Sequence, residues 1–504
     1  MEIIKKRIGQ YKESCFNSHV SEEIIEIIVP DIQPDFENVI SSFATCKITE
    51  KSALSGSIKI TGKLFASIHY SSTASECAYT INATSDFAKS IKYENSNPID
   101  VFTSNSKVLS TAVEIINSRK IRLKILLCTV YTTFNLENID LIEDICSEVG
   151  ENIQSLTSLK AIRPCVDISD KGISFTEDIR LTDSEYANLF RIVSWKTEWF
   201  VDETKIMQNR ILIRGHISID ISSTNENSFE IMHKSYVLPF SQVMDCKNTY
   251  EDDEIIVYLS QDNCNINLIQ KEDNFYLCCD CSATATSFTY REMNIKHLSD
   301  AYSTVFESDI KTSKLQFSEK TSIWSSNNNI EAKIETLNAI ENVMNYSIIT
   351  SHQLVNKELQ VHFYINTICS DVMGTICSLS GHVESNIPLN TEILSNSITL
   401  HINDIKANID SAGILFSFNV SINSLSQINT EINSVTVCSI DKSKKRSRIT
   451  QGNLILRKVL PGESIWSISK NYGTTCDAII SANNLEDNSE LPLGKLIIVP
   501  FVKQ

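Results

Sequence analysis

Long stretches of this chain alternate apolar and polar residues with a period of two, the pattern of a strand with one packed face and one wet face. In "SIKITGKLFASIHY" the residues Ile58, Ile60, Leu64, Ala66, Ile68 and Tyr70 share a face, and Gly62 interrupts it. In "RILIRGHISIDIS" the shared face carries Ile211, Ile213, Ile217, Ile219 and Ile221, with Gly215 at the equivalent place. A third stretch keeps the alternation through Leu359, Val361, Phe363 and Ile365, with Phe363 where the glycine would fall. A glycine on the buried face of so long a strand predicts a bend or a close backbone approach, which the third stretch lacks.

These stretches recur at intervals of about 150 residues, so the pattern is a repeat. Each is preceded by an echo, "ENVI" at 37–40, "ANLF" at 187–190 and "ENVM" at 341–344, read as short helical segments. Each is followed by a second alternating strand: Ile121, Leu123, Ile125 and Leu127; Phe275, Leu277, Cys279, Cys281 and Ala283; and Ile414, Phe416, Phe418, Val420 and Ile422. The expectation is a mainly β chain with short helices, built as three tandem β-rich units at residues 1–150, 151–298 and 299–440. A basic linker is expected at 441–452, followed by a small α+β unit at 453–504.

The last fifty residues change period. "LILRKVL" reads as a strand, Pro461 and Gly462 turn the chain, and from Ser464 the spacing becomes helical, with Ile465, Ile468 and Tyr472 on one face. Gly473 stands where a left-handed helix cap is required. Thr474 or Thr475 caps a second helix, "CDAIISANN", whose Ile479 and Ala482 face the first, and "KLIIVP" supplies a closing strand. The predicted order is strand, helix, helix, strand.

From Val459 to Pro500 this segment resembles a LysM module. Glu463 departs from the Asp usual there, and its longer side chain is a weaker N-cap. The resemblance implies a groove between the loop after the first strand and the loop before the second. Carried onto this chain, one wall is Pro461, Gly462, Glu463, Ser464 and Ile465, with Trp466 shared between core and surface; the other is Leu491, Pro492, Leu493 and Gly494. Such an apolar groove suits either N-acetylglucosamine glycan or a protein partner. The preceding units, each with a "PDFENVI"-like segment leading into a long strand, resemble the SPOCS domains of spore-coat-associated proteins in endospore-forming bacteria.

Together the two resemblances are to SipL-like clostridial coat morphogenetic proteins. They imply a non-enzymatic scaffold in the mother-cell cytoplasm at the forespore surface, binding a SpoIVA-type coat ATPase and other coat proteins. The alternative is a peptidoglycan-binding protein of the cell wall or cortex. "MEIIKKRIGQYKESCFNSHV" lacks the apolar core of a signal peptide, and no run approaches the roughly 18 apolar residues of a membrane span, which favours the scaffold and predicts no membrane insertion.

Charge and composition narrow the classes further. The net charge is −17, and since 441–450 is basic the preceding residues carry more acid than that total shows, which disfavours nucleic acid. The fifteen cysteines have no disulfide-like spacing and read as free thiols. In "CCDC", alternation sends Cys279 and Cys281 to one face and Cys278 to the other, which suits core filling and not tetrahedral zinc. "SISK" at 467–470 mimics an acyl-transfer motif but is explained by the helix that contains it. No catalytic, metal or cofactor constellation emerges from the sequence.

Overall fold

In the computed structural model the described residues are 1–504 apart from 55, 73–74, 93–98, 190, 225–230, 338, 447–453, 486–490, 492 and 501–504. The body is β throughout. The first unit comprises β1 (Glu2–Ile28), β2 (Asn38–Leu54), β3 (Ser57–Ser72), β4 (Ser75–Lys92), β5 (Val101–Asn117) and β6 (Lys120–Cys146). They form two three-stranded antiparallel sheets ordered β1-β6-β5 and β2-β3-β4.

The second unit opens with β7 (Ile153–Ile162) and β8 (Cys165–Leu181), then a six-residue helix α1 (Asp183–Asn188). It continues with β9 (Arg191–Met207), β10 (Arg210–Thr224), β11 (Ile231–Asp245), β12 (Glu254–Lys271), β13 (Asn274–Tyr290) and β14 (Met293–Ser303). Its sheets run β8-β13-β12 and β11-β10-β9, and β7 pairs with β14 as a ribbon. The third unit has β15 (Phe306–Glu335), β16 (Ile340–Val355), β17 (Glu358–Asp371), β18 (Ile376–Pro388), β19 (Thr399–Asp410) and β20 (Gly413–Lys445). Its sheets run β15-β20-β19 and β16-β17-β18. All three units therefore share one strand order.

The six strands singled out by alternation are the central strands of these six sheets. Ile58, Ile60 and Ile68 pack with Ile121, Leu123 and Ile125 in the first core. Ile213 and Ile217 pack with Leu277 and Cys279 in the second, and Val361 and Phe363 with Phe416 and Val420 in the third. Each unit is a small sandwich whose inner faces exclude water, at roughly 1.5–3 kcal/mol for each large side chain buried.

The central glycines are sites of close approach. A Cβ on Gly62 would lie 2.4 Å from the Lys47 carbonyl oxygen, and one on Gly215 would lie 1.9 Å from that of Phe200. In both units the neighbouring strand carries a bulge at that point, and the residue paired on the other side is an aromatic, Phe87 or Phe240, whose ring occupies the space a side chain would take. In the third unit the phenyl moves to the central strand: Phe363 pairs with Val383, and β16 runs past it without a bulge. The sequence expectation of a lost bend in the third copy holds for this reason.

Three expectations require correction. Among the echoes, only the first residues of "ANLF" are helical; Asn38–Ile40 and Glu341–Met344 begin β2 and β16, because those residues enter the sheet through bulges instead of a turn of helix. The boundary at 298 cuts β14, which pairs with β7, and the boundary at 440 cuts β20, which runs to Lys445. The basic segment is therefore not all linker. Asp441–Lys445 extends β20, and Lys442 Nζ lies 2.8 Å from Glu151 and 3.0 Å from Glu148. The remaining linker residues, 447–452, lie outside the described residues.

The free-thiol expectation fails at one pair. Cys264 and Cys281 stand opposite each other on β12 and β13 and are joined in a disulfide, with Cα atoms 4.0 Å apart. Strand register brings them together across 17 residues, and no spacing rule reveals it. Cys279 is fully buried in the core, while Cys278 faces partly outward, as alternation requires.

The three units meet through ribbons that extend beyond the sandwiches. The outer halves of β1 and β6, the β7–β14 ribbon, and the outer halves of β15 and β20 pack as a three-ribbon stalk. Its core takes Ile8 and Leu141 from the first ribbon, Ile162 and Ile295 from the second, and Phe317 and Ile432 from the third. Gln10, wholly buried, donates to the Gln316 carbonyl and accepts from the Ser318 amide, satisfying backbone groups on the edge strand β15. At the stalk's foot the buried Glu151 accepts from the Lys442 ammonium, the Glu148 amide and the chain's amino group, which hold its carboxyl down at about 2.

Two outcomes follow. Gly215→Ala should lower unfolding free energy by about 2–4 kcal/mol in denaturant titrations, because the Cβ meets backbone that cannot yield, whereas Gly172→Ala, with open space around it, should stay within about 0.5 kcal/mol. Where β1 leaves the stalk, burial pushes the Glu13 carboxyl up to about 7 despite its hydrogen bonds from Ser395. A raised acid pKa means the fold prefers the protonated form, so its stabilising contribution is present at low pH and lost as pH rises from the unfolded value to about 7. Glu13→Gln should therefore be more stable than the parent by about 3 kcal/mol well above pH 7, the difference vanishing below about pH 4. A pH-independent difference would contradict the burial argument.

Candidate functional site

The C-terminal module is built from β21 (Leu454–Lys458), α2 (Ile465–Tyr472), α3 (Cys476–Asn483) and β22 (Leu496–Pro500), with β21 antiparallel to β22. Its core is small: Val459, Ile468, Ile479, Ile497 and Val499 are buried, with Ile465, Tyr472 and Leu491 packed around them. So few apolar contacts leave the fold dependent on its caps. Ser464 and Ser467 form a reciprocal capping box on α2, and Gly473 closes that helix in the left-handed conformation at φ 66°. Thr475 caps α3.

The structure moves Glu463 out of the capping role. Ser464 takes it, and Glu463 instead accepts from the Arg457 guanidinium and from the Leu460 amide at 3.0 Å, tying the turn to β21. Asn483 has no signal in the sequence reading, yet its amide nitrogen donates to the Ile479 and Ile498 carbonyls and its oxygen accepts from the Ile498 amide. That side chain clamps the end of α3 to β22.

The two inferred groove walls do come together. The Val459 amide donates to the Lys495 carbonyl at 3.0 Å and the Gly494 amide to the Val459 carbonyl at 3.1 Å, so the two loops are stitched side by side. Pro461, Gly462 and Ser464 are exposed on one, and Leu493, 68% exposed, and Gly494 on the other; Glu463 is half-buried. Ile465 and Leu491 are half-buried between rim and core. Leu460, 52% exposed, adds an apolar side chain that the sequence reading omitted. Pro492 lies outside the described residues.

Trp466, inferred as shared between core and surface, is turned to the stalk. Its indole Nε1 donates to Asp300 at 2.8 Å, and its ring packs edge-on against Tyr302, with centroids 4.9 Å apart, both on β14. Lys470, one turn along α2, reaches both Asp300 oxygens at 2.6 and 2.7 Å. The buried Tyr302 hydroxyl donates to the Thr474 carbonyl at 2.8 Å and lies 2.9 Å from Ser469 Oγ; burial raises its pKa. Arg446 bridges the Ser303 and Lys470 carbonyls. One flank of α2 is thus docked on the foot of the stalk, and the residues inferred as groove walls are others of the module. Helical spacing placed Trp466, Ser469 and Lys470 close together but could not say what they meet. Their partners are more than 160 residues away in sequence.

Residues 458–500 match the LysM domain family, and residues 189–269, from the end of α1 through most of β12, match the SPOCS domain of the SipL family. No curated protein and no solved structure matches the chain. The mainly β fold and the SipL-like recognition read from the sequence therefore stand. Both families are binding or scaffold domains, and together they fit a sporulation coat-related protein carrying a LysM binding module. Among the described residues no helix is long and apolar enough to cross a membrane.

The docked module gives a protease test. Trypsin should cut slowly after Lys445 and Arg446 in the intact chain. Asp300→Ala combined with Tyr302→Phe should speed that cleavage about tenfold or more, equivalent to about 1.4 kcal/mol of lost docking, and release the module still helical by circular dichroism. Equal rates in parent and variant would show that the stalk does not hold it.

Proposed function

We propose that this chain is a non-enzymatic scaffold of spore coat assembly, whose LysM groove binds a coat protein, the SpoIVA-type ATPase of the coat basement layer. It acts in the mother-cell cytoplasm at the forespore surface. The observation that carries this reading is the presence on one chain of a SipL-type SPOCS domain and a LysM domain. The site's chemistry agrees with a protein partner: Leu460 and Leu493 expose apolar side chains at the groove rim, and the aromatic ring of Trp466 that could stack on a sugar is turned to the stalk.

Leu493 is the probe of choice because it contributes little to the module's core. Leu493→Glu should weaken capture of the purified coat ATPase by about tenfold or more, which is about 1.4 kcal/mol, without changing the module's circular dichroism. If the parent protein sediments with purified peptidoglycan and ignores the ATPase, the glycan-binding alternative replaces this proposal.

A further inference from the structure

The three sandwiches border an open chamber where they converge above the stalk. One lobe, of about 310 Å³, is walled by all three units: Ser104 and Lys107 from β5, Ser260 from β12, and His352 from β16. A second lobe, of about 330 Å³, shares Asn105 and Lys107 with the first. Four of the lining residues carry a side-chain atom that is buried without a hydrogen-bond partner: Ser104 Oγ, Asn105 Oδ1, Ser260 Oγ and His352 Nδ1.

Lys107 is the unusual member. Burial lowers its pKa, the Cys128 thiol opposite it on β6 acts the other way, and among the described residues it makes no ion pair with a carboxylate. Among the described residues it is the only charged side chain in the wall of the first lobe, since burial and the neighbouring Lys107 charge push the His352 imidazole down to about 3 and keep it neutral. Phe16 stacks on that imidazole at 5.6 Å and fixes its plane. A carboxylate, Asp262, lines the second lobe, accepts from Thr284 Oγ1 at 2.9 Å, and is raised in pKa by burial. The second lobe also has Lys196 and Glu198, which pair with each other at 2.6 Å.

A half-buried ammonium with no counter-charge beside it invites an anion, and buried polar atoms of native proteins normally find partners. A small oxyanion supplies the counter-charge and accepts from the hydroxyl and imidazole donors, Asn105 Oδ1 being an acceptor itself. We propose that the chamber binds a small oxyanion, of the phosphate or polycarboxylate class, with Lys107 as its counter-charge and Ser104, Ser260 and the neutral His352 as hydrogen-bond partners. Since its ligands come from three sandwiches, the anion would act as a bolt between them. The inference is independent of what the LysM groove binds.

The test uses the full chain and inorganic phosphate, with citrate as a second arm and sodium chloride at matched ionic strength as control. Phosphate or citrate should raise the thermal midpoint saturably, by about 3 °C or more, and the effective arm assigns the class. Lys107→Met should abolish that rise, and it should also raise the midpoint of the anion-free protein, because an unpaired cation has been replaced by an apolar side chain of similar length. A purely structural lysine would give a lower midpoint instead. His352→Gln, which keeps the chamber polar, should leave the rise in place but shift saturation to higher concentration. No rise beyond that of chloride, or an equal rise in Lys107→Met, overturns the proposal.

Discussion

A two-stranded ribbon with one apolar face cannot bury that face by itself. Three such ribbons can, and their mutual burial is the constraint on which the architecture depends. Ile8, Leu141, Ile162, Ile295, Phe317 and Ile432 exclude water only when the outer ends of β1, β6, β7, β14, β15 and β20 lie together. These pairings reach from the first residues of the chain to Lys445, so the stalk closes the body topologically. The sandwiches are held at its head by this closure, and smaller contacts such as Phe43 on Trp195, 4.6 Å between centroids, complete the junction.

The same geometry explains what a weakly apolar module is doing at a fixed place. The LysM core has five buried apolar residues, and its helices depend on caps and on the Asn483 clamp. Docking through Trp466, Lys470 and the Tyr302 hydroxyl fixes its orientation on the stalk's foot and leaves Leu460 and Leu493 open. A partner seated on the groove would meet a module in one pose instead of one swinging on a tether, and a smaller loss of orientational freedom favours affinity. The salt bridges at the stalk's foot work to the same end, since Lys442 ties the end of β20 to Glu148 and Glu151.

What the sequence determined was local and periodic. Alternation found the six central strands and which of their faces are buried, because side-chain direction in a strand follows position alone. The Gly62 and Gly215 coincidence disclosed the repeat, and the helix caps and turn residues defined the LysM module, since each of these has a signature within a few residues. Tertiary structure alone decided the rest. The echoes became strand entries because sheet pairing overrode weak helical preference; Cys264 met Cys281 because of register; and the unit boundaries moved because β14 and β20 continue past the sandwiches into the stalk. Trp466 turned to Asp300 and Tyr302, and Lys107 came to face Ser260 and His352, because residues far apart in the chain were brought together by the joint burial of three ribbons. Such long-range encounters leave no periodic trace in a single sequence.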